Sequence, residues 1–291
     1  MVSSPESRSK DESPAQKSAF DTVAVCVDYS DAAHDAIELG RALAGAEGQI
    51  VLVHVAEITS QLGWVKMIAI PDLDWEPIGT ELLKRLSEEA AGAETVLLRG
   101  HPSISIMEWV ERASPDVIVC AARHGVVSRT VLGSVSSYLA YHLPCPVAIA
   151  RPGIERRPRF THVAACVDAD EQSHLVLEAA ERVAGAHLAR LSAVHVMDDL
   201  RTYGHLGWVP DPLEWRQEWE AMMDEIVRDL RCEQVLLEGV YAGPAITDWA
   251  AEHDVDLLIA AAHRRGVERW FLGGFASHLA HHAPCDVLIS R

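Results

Sequence analysis

Two aspartates at the ends of short apolar runs are the first residues that could take part in chemistry. Asp28 follows the run AVCV, and Asp168 follows the run AACV. Such runs are typical of buried parallel strands, and open α/β sheets bind ligands at the carboxyl ends of their strands. A carboxylate there can accept hydrogen bonds from a ribose or a base. Asp28 and Asp168 are therefore candidate ligand-binding residues.

A Gly-Ser step downstream of Asp28 predicts a place for an anion. Gly133-Ser134 precedes a stretch of helical spacing. The N–H groups and the dipole at a helix start attract negative charge. Together with Asp28, this step indicates a small phosphorylated ligand.

Cationic side chains lie between each aspartate and the predicted helix start that follows it in the same half of the chain. They are Arg123-His124 in the first half of the chain and His263-Arg264-Arg265 in the second. Guanidinium groups can hold a phosphate by paired hydrogen bonds. The alternative is that these are solvated loop charges, and the sequence leaves both interpretations open.

The sequence contains no recognisable catalytic or metal-binding pattern. A Gly-x-Ser-x-Gly elbow is missing. His278, His281 and His282 share a helical face, but no cysteine or acidic residue stands at ligand spacing beside them. Cys26 and Cys166 fall inside predicted strands and are interpreted as small core residues. We predict a protein that is not an enzyme and holds no metal.

Two further groups of residues are interpreted as structural. His54 and His195 lie among valines in predicted strands, which favours core histidines with hydrogen-bond partners. Tryptophans concentrate in a long loop region after the second strand of each half, where they predict cover for the neighbouring domain. An apolar ligand pocket or a lid are the alternatives. The tryptophans are Trp64, Trp75, Trp208, Trp215 and Trp219.

The second half of the chain repeats the first. Asp168 stands 140 residues after Asp28, and Trp249 stands 140 residues after Trp109. A repeat of this length can fold around its own core, unlike solenoid repeats of about 20 to 50 residues. We expect tandem domains at 20–151 and 160–291, a linker at 152–159, and a flexible tail at 1–19 that is too polar to fold.

Short β-branched runs alternate with amphipathic stretches of helical length in each half. This alternation is typical of βαβ units on a parallel sheet. Right-handed crossovers then give an open, doubly wound α/β sheet. We expect five strands and four helices in each domain, with Ser30-Asp31 capping the first helix. The pattern leaves the strand order open.

Charge and cysteine content exclude several classes of partner. The 43 Asp and Glu residues outnumber the 25 Lys and Arg residues, and the formal charge of −18 repels nucleic acid and anionic lipid. No run approaches the roughly 20 apolar residues that span a bilayer. Six cysteines without a CxxC pair are typical of a reducing cytoplasm. We expect a cytoplasmic protein that binds neither nucleic acid nor membrane.

Motifs in both halves resemble the universal stress protein family. Asp28-Tyr29-Ser30 is similar to the family's Asp-x-Ser turn, and Val53-His54-Val55 is similar to its second strand. The stretch from Val117 to Ser136 and the closing Pro144-Cys145-Pro146-Val147 resemble the end of one family domain. The second half carries the same motifs in the same order, so the resemblance covers about residues 20–291.

The resemblance implies a fold, a role and a site. The fold is a tandem of adenine nucleotide alpha-hydrolase-like domains with strand order 3-2-1-4-5, in which the fifth strands pair between the domains. The role is stress adaptation without catalysis, with ATP in the cleft between strands one and four. The residues implied for the ligand are Asp28, Val55, Arg123, Gly125, Gly133, Ser134 and Ser136 in domain 1, and Asp168, His263 and Gly273 in domain 2.

The chain departs from the family's nucleotide-binding loop, which has two glycines ahead of its Gly-Ser. Those two positions hold Cys120 and Arg123 in the first half. In the second half they hold Ala260 and His263, and Gly274 replaces the serine. We therefore expect a small ligand, either ATP or another phosphorylated molecule, and the alternative is an interaction scaffold whose clefts bind nothing. Assembly into a homodimer is left open.

Overall fold

The computed structural model describes residues 18–56, 75–124, 130–168, 170, 172–198, 211–262 and 273–291. The strands are β1 (Thr22–Cys26), β2 (Gln49–Ala56), β3 (Glu94–Arg99), β4 (Val117–Ala121), β5 (Arg123–His124), β6 (Thr130–Val131), β7 (Val147–Ala150), β8 (His162–Cys166), β9 (Arg190–Asp198), β10 (Glu233–Gly239), β11 (Leu257–Ala261) and β12 (Asp286–Ser290). The helices are α1 (Ala32–Ala44), α2 (Trp75–Glu89), α3 (Pro102–Ala113), α4 (Ser134–His142), α5 (Ser173–His187), α6 (Pro212–Ile226), α7 (Ala242–Glu252) and α8 (Gly274–His282).

Ten of these strands form a single sheet in the order β10-β9-β8-β11-β12-β7-β4-β1-β2-β3. The strands that precede the linker, with their helices, are called unit 1, and those that follow it are called unit 2. Each unit has the order 3-2-1-4-5 when its own sheet strands are numbered along the chain, and its strands are parallel. The predicted α/β fold class is confirmed. Nearly continuous apolar runs form these strands because both faces of the sheet are covered.

The two units meet at β7 and β12, which pair antiparallel with Ile149 opposite Val287. The parallel strands of unit 1 therefore run opposite to those of unit 2. As a result, the carboxyl ends of the strands lie at one edge of the sheet in unit 1 and at the opposite edge in unit 2.

Helices cover the sheet in two layers, and each layer extends through both units. Buried residues of α1, α2, α5 and α6 form one apolar cluster with one face of the sheet. Buried residues of α3, α4, α7 and α8 form the other cluster with the opposite face. Among the helices of the described ranges, none combines the length and the apolar character needed to cross a membrane.

A small hairpin in unit 1 was not predicted. β5 and β6 pair antiparallel between β4 and α4, with Arg123 opposite Val131. The hairpin takes up part of the segment in which the sequence predicted only a loop.

Two arginines, one from each unit, tie the units together at their junction. Arg151 follows β7 in unit 1, and its guanidinium donates hydrogen bonds to the carbonyls of Leu279 and His281 in α8 of unit 2. Arg291 follows β12 in unit 2 and donates to the carbonyl of Ala140 in α4 of unit 1. These arginines are 140 residues apart in the sequence, so they occupy equivalent positions of the repeat. Each arginine satisfies carbonyls in the last turn of the other unit's helix.

The linker contributes a third arginine. The Arg156 guanidinium contacts Asp35 of α1 at 2.6 Å and Asp286 of β12 at 2.8 Å. Asp286 also accepts a hydrogen bond of 2.7 Å from the main-chain N–H of Arg151. The arginine joins a helix of unit 1 to a strand of unit 2. Residues 1–17 of the predicted tail at 1–19 lie outside the described residues, and Ala19 is buried.

Candidate functional site

The candidate cleft lies where the order of the strands reverses in unit 1. β1 and β4 are neighbours in the sheet. The chain leaves β1 for α1, in the first apolar layer, and it leaves β4 for α4, in the second. Connections that depart to opposite faces open a crevice at the carboxyl ends of the two strands.

Asp28 stands at the end of β1 in a tight turn. Its Oδ1 accepts hydrogen bonds from the Ser30 main-chain N–H at 2.9 Å and from the Ser30 hydroxyl at 2.5 Å. Asp28 is partly exposed. The predicted cap is wrong in detail, because no side-chain hydrogen bond from Asp31 caps α1. Ser30 holds the Asp28 carboxylate in place instead.

The start of α4 supplies the second part of the cleft. Gly133 precedes the helix in an extended conformation, and no side-chain hydrogen bond caps this end. Ser134 is exposed, whereas Ser136 is buried and donates a 3.0 Å hydrogen bond to the Ala121 carbonyl. This bond fixes the first turn of α4 to the end of β4. The helix start therefore has N–H groups and a positive dipole end available to an anion.

The remaining predicted residues of unit 1 are more scattered. Val55 is buried near the end of β2, opposite Leu98 of β3. The backbone of Arg123 belongs to the hairpin that leads from β4 toward α4. Gly125 lies outside the described residues, and so does His263 of unit 2.

Unit 2 has the same elements with different turn chemistry. Asp168 lies two residues after β8; its main-chain N–H donates to the Ser173 hydroxyl at 2.9 Å, and that hydroxyl donates to its carbonyl at 2.5 Å. Asp170 takes the position of Ser30, so no serine hydroxyl stands there to orient the carboxylate. Gly273 precedes α8, and its N–H donates to the Ala262 carbonyl at 2.7 Å.

Comparison with known proteins gives a consistent assignment. The universal stress protein family profile matches residues 19–151 and again residues 159–291. The chain belongs to the universal stress protein family. The structure of a universal stress protein from Archaeoglobus fulgidus has the same fold, with a TM-score of 0.70 and 18% sequence identity over 94% of this chain and 98% of that one.

Curated relatives match about half of this tandem universal stress protein. One, described as the universal stress protein in QAH/OAS sulfhydrylase 3'region of Thermus aquaticus, is 30% identical over 45% of this chain and 99% of the relative. The universal stress protein A homolog 1 of Coxiella burnetii is 28% identical over 44% of this chain and 94% of the relative. Each relative therefore has the length of about one unit.

A buried histidine supports the end of the first strand in each half of this universal stress protein, β1 in unit 1 and β8 in unit 2. His54 Nδ1 lies 2.9 Å from the carbonyl of Val27, and His195 Nδ1 lies 2.9 Å from the carbonyl of Val167. A carbonyl only accepts, so Nδ1 carries the proton in each ring. Each bond fixes the peptide immediately before the candidate aspartate. The prediction of hydrogen-bonded core histidines is confirmed.

The two histidines have different neighbours. Tyr29 contacts His54 edge-on with a ring separation of 5.0 Å, and Trp219 stacks on His195 at 4.2 Å. Trp219 covers the sheet of its own unit, so the prediction of interdomain cover is wrong for this residue. Trp64 and Trp208 lie outside the described residues.

Three thiols of this universal stress protein that lie outside the cleft of unit 1, those of Cys145, Cys166 and Cys285, are poor nucleophiles. Burial raises the pKa of Cys145 to about 11 and that of Cys166 to about 12. Burial also raises the pKa of Cys285. Across the described ranges, His, Cys, Asp and Glu side chains form no group of three or more that could hold a metal ion.

Proposed function

We propose that unit 1 binds a small phosphorylated ligand, with ATP as the first candidate, in the cleft between β1 and β4. The protein acts through this binding in stress adaptation in the cytoplasm and does not turn the ligand over. The observation that carries the proposal is the oriented Asp28 carboxylate at the same strand ends as the start of α4. A carboxylate suits the hydroxyls of a ribose, and a helix start suits a phosphate.

The role of each residue follows from this arrangement. Asp28 accepts hydrogen bonds from the ligand, while Ser30 and His54 keep the end of β1 in position. The main-chain N–H groups at Gly133, Ser134 and Val135 face the phosphates. Ser136 keeps α4 in register with β4. Val55 and Arg123 are proposed as further ligand contacts, and Gly125, outside the described residues, stays a prediction from the sequence.

Unit 2 is proposed to bind more weakly or to act as the structural partner of unit 1. Its Asp168 turn has an aspartate where unit 1 has Ser30, and Gly274 stands where unit 1 has Ser134. These differences favour the scaffold interpretation for unit 2 alone. The cleft of unit 2, with Asp168 and Gly273, is therefore the natural control for that of unit 1.

Ligand retention and titration test the proposal. Small molecules released by denaturing the purified chain are identified by mass spectrometry, and ATP is titrated calorimetrically into the wild type, Asp28→Ala and Asp168→Ala. Removing a hydrogen bond to a charged group costs about 2 kcal/mol, so Asp28→Ala is expected to raise the Kd about thirtyfold. Asp168→Ala is expected to leave it nearly unchanged. A chain that carries no nucleotide and does not respond to ATP contradicts the proposal for ATP.

A second variant tests the phosphate end without risking the fold. Ser134→Glu places a carboxylate in the first turn of α4, where it favours the helix by about 0.3 to 1 kcal/mol but repels a phosphate. The side chain is exposed, so the fold has room for the change. Gly274→Glu is the matched control in unit 2, where an added Cβ meets no atom within 4 Å. Equal ATP binding by wild type and Ser134→Glu would place the anion elsewhere.

A further inference from the structure

Two cysteines face each other across the strands that form the cleft of unit 1. Val25 of β1 is opposite Val119 of β4, so the next residues along the two parallel strands, Cys26 and Cys120, are also opposite each other. The Cys26 side chain is within hydrogen-bonding reach of the Cys120 thiol, whose pKa it raises. Both belong to the same apolar layer, on the α4 face of the sheet.

Unit 2 does not have this pair. Ala165 of β8 is opposite Ile259 of β11, so Cys166 is opposite Ala260. Cys166 therefore occupies the same strand position as Cys26, but no thiol faces it on the neighbouring strand. In unit 2 an alanine occupies the position of Cys120. Packing of the sheet therefore does not require a cysteine there.

The geometry of neighbouring strands is compatible with a disulfide. Adjacent strands lie about 4.8 Å apart, and disulfides join Cα atoms that are about 4.4 to 6.8 Å apart. Cys26 is partly exposed, whereas Cys120 is buried. The hydrogen bond to Cys26, together with burial, raises the pKa of Cys120. Cys26 is therefore the thiol that a dissolved oxidant meets first, and Cys120 is the neighbour within reach.

We propose that Cys26 and Cys120 are an oxidisable pair that a peroxide converts to a disulfide between β1 and β4. The Cys26 sulfur, having lost its proton, attacks one peroxide oxygen, the O–O bond breaks, and a sulfenic acid and one water are formed. The Cys120 sulfur then attacks the Cys26 sulfur, the S–O bond breaks, and the hydroxide leaves as water with the Cys120 proton. Two thiols are oxidised by two electrons in total, and one hydrogen peroxide is reduced to two water molecules.

The disulfide joins the strands that carry the cleft. Asp28 follows Cys26 by two residues, and the β5–β6 hairpin begins three residues after Cys120. Oxidation therefore links the points at which the chain leaves β1 and β4. The pair is a modification site in its own right, whether or not the cleft binds a nucleotide.

Thiol mapping of the full chain tests the pair directly. The reduced protein is treated with equimolar hydrogen peroxide, blocked with N-ethylmaleimide, digested without reductant and analysed by mass spectrometry. The expected product is a Cys26–Cys120 peptide pair that is lighter by two hydrogen atoms and is separated by dithiothreitol. Cys166 is the internal control and is expected to be recovered as the alkylated thiol.

Two variants separate the steps. Cys120→Ala reproduces the Cys166 and Ala260 arrangement of unit 2, and Cys26 is then expected to be trapped as a sulfenic acid by dimedone. Cys26→Ala is expected to leave Cys120 as a free thiol. A thermal melt of each variant confirms that it is folded. The proposal is overturned if wild-type Cys26 and Cys120 are recovered as free thiols after the peroxide is consumed, or if Cys166 is oxidised as fast as Cys26.

Discussion

Gly79 of α2 and Trp219 of α6 each lie against the buried histidine of their own unit. A Cβ added at Gly79 would lie 2.9 Å from Leu97 Cδ1 and 3.1 Å from His54 Cδ2. The glycine therefore lets α2 lie directly against the histidine ring. In unit 2, the indole of Trp219 stacks on the His195 ring. One residue thus affects how a helix packs on the sheet in each unit, and no local sequence pattern predicts the contact.

Two helix glycines provide a sharper test of packing at single residues. A Cβ at Gly40 of α1 would lie 2.5 Å from Val25 Cγ2, whereas a Cβ at Gly185 of α5 meets nothing within 4 Å. Gly40→Ala is expected to lower the free energy of unfolding by about 1 to 3 kcal/mol through overpacking. Gly185→Ala is expected to raise it by about 0.5 to 1 kcal/mol through helix propensity. Urea unfolding of both variants checks that the free energy of unfolding changes in opposite directions. A stabilised Gly40→Ala would mean that β1 shifts to accommodate the methyl group without loss of stability.

His187 makes stability depend on pH. The Phe160 N–H donates to its Nδ1 at 3.1 Å, and its Nε2 lies 2.9 Å from the Ala42 carbonyl, so the ring is neutral. Burial lowers the pKa of His187, and Arg159 lowers it further. The unfolded chain then binds the proton more tightly, so this stability is full above about pH 6.5 and is lost as the pH falls toward the lower folded-state pKa.

The prediction for His187 is a flatter pH profile in His187→Gln, whose amide can accept from Phe160 and donate to Ala42. The free energy of unfolding is measured by urea titration above and below pH 6.5 for both proteins. Burial also lowers the pKa of His162, so part of the slope is expected to remain. An identical slope in both proteins would assign the pH dependence to other groups.

At the scale of elements, the sequence predicted what depends on local pattern and missed what depends on long-range pairing. The strands and helices followed from apolar runs and helical periodicity, because both are local consequences of burial on a covered sheet. The strand order came only from resemblance. The β5–β6 hairpin and the facing of Cys26 and Cys120 depend on sheet register, which no local pattern contains. The linker at 152–159 was predicted, but the burial of the Arg156 side chain was not, because its partners lie on α1 and β12.

The linker network predicts a large effect of one substitution. The Asp286 side chain is 2% exposed and the Arg156 side chain is 7% exposed. Asp286→Ala leaves this guanidinium with fewer anionic partners and is expected to cost about 3 kcal/mol of unfolding free energy. Adding Arg156→Met removes the uncompensated charge, so the double variant is expected to be more stable than Asp286→Ala. A double variant that is less stable than Asp286→Ala would mean that the contacts of Arg156 with Asp35 and with the Arg151 carbonyl dominate.

At the scale of the whole molecule, the two apolar layers decide whether the units unfold separately. Both layers include buried residues from both units, and the sheet is continuous through β7 and β12. Leu288 of β12 is fully buried and stands opposite Ala148 of β7. Separating the units would expose this shared core and would break the exchanged contacts of Arg151 and Arg291. We therefore expect the two units to unfold together.

Native cysteines can report each unit during unfolding. Cys120 is buried in unit 1 and Cys285 is buried in unit 2, so brief alkylation across a urea series under reducing conditions, read by mass spectrometry, follows each unit separately. Coincident midpoints are expected, as for a single cooperative transition. Leu288→Ala leaves a cavity that costs about 2 to 5 kcal/mol, and it is expected to lower both midpoints equally although it lies in unit 2. If Cys285 becomes reactive at lower urea than Cys120, the junction does not couple the units, and each folds as an independent domain joined only by its linker.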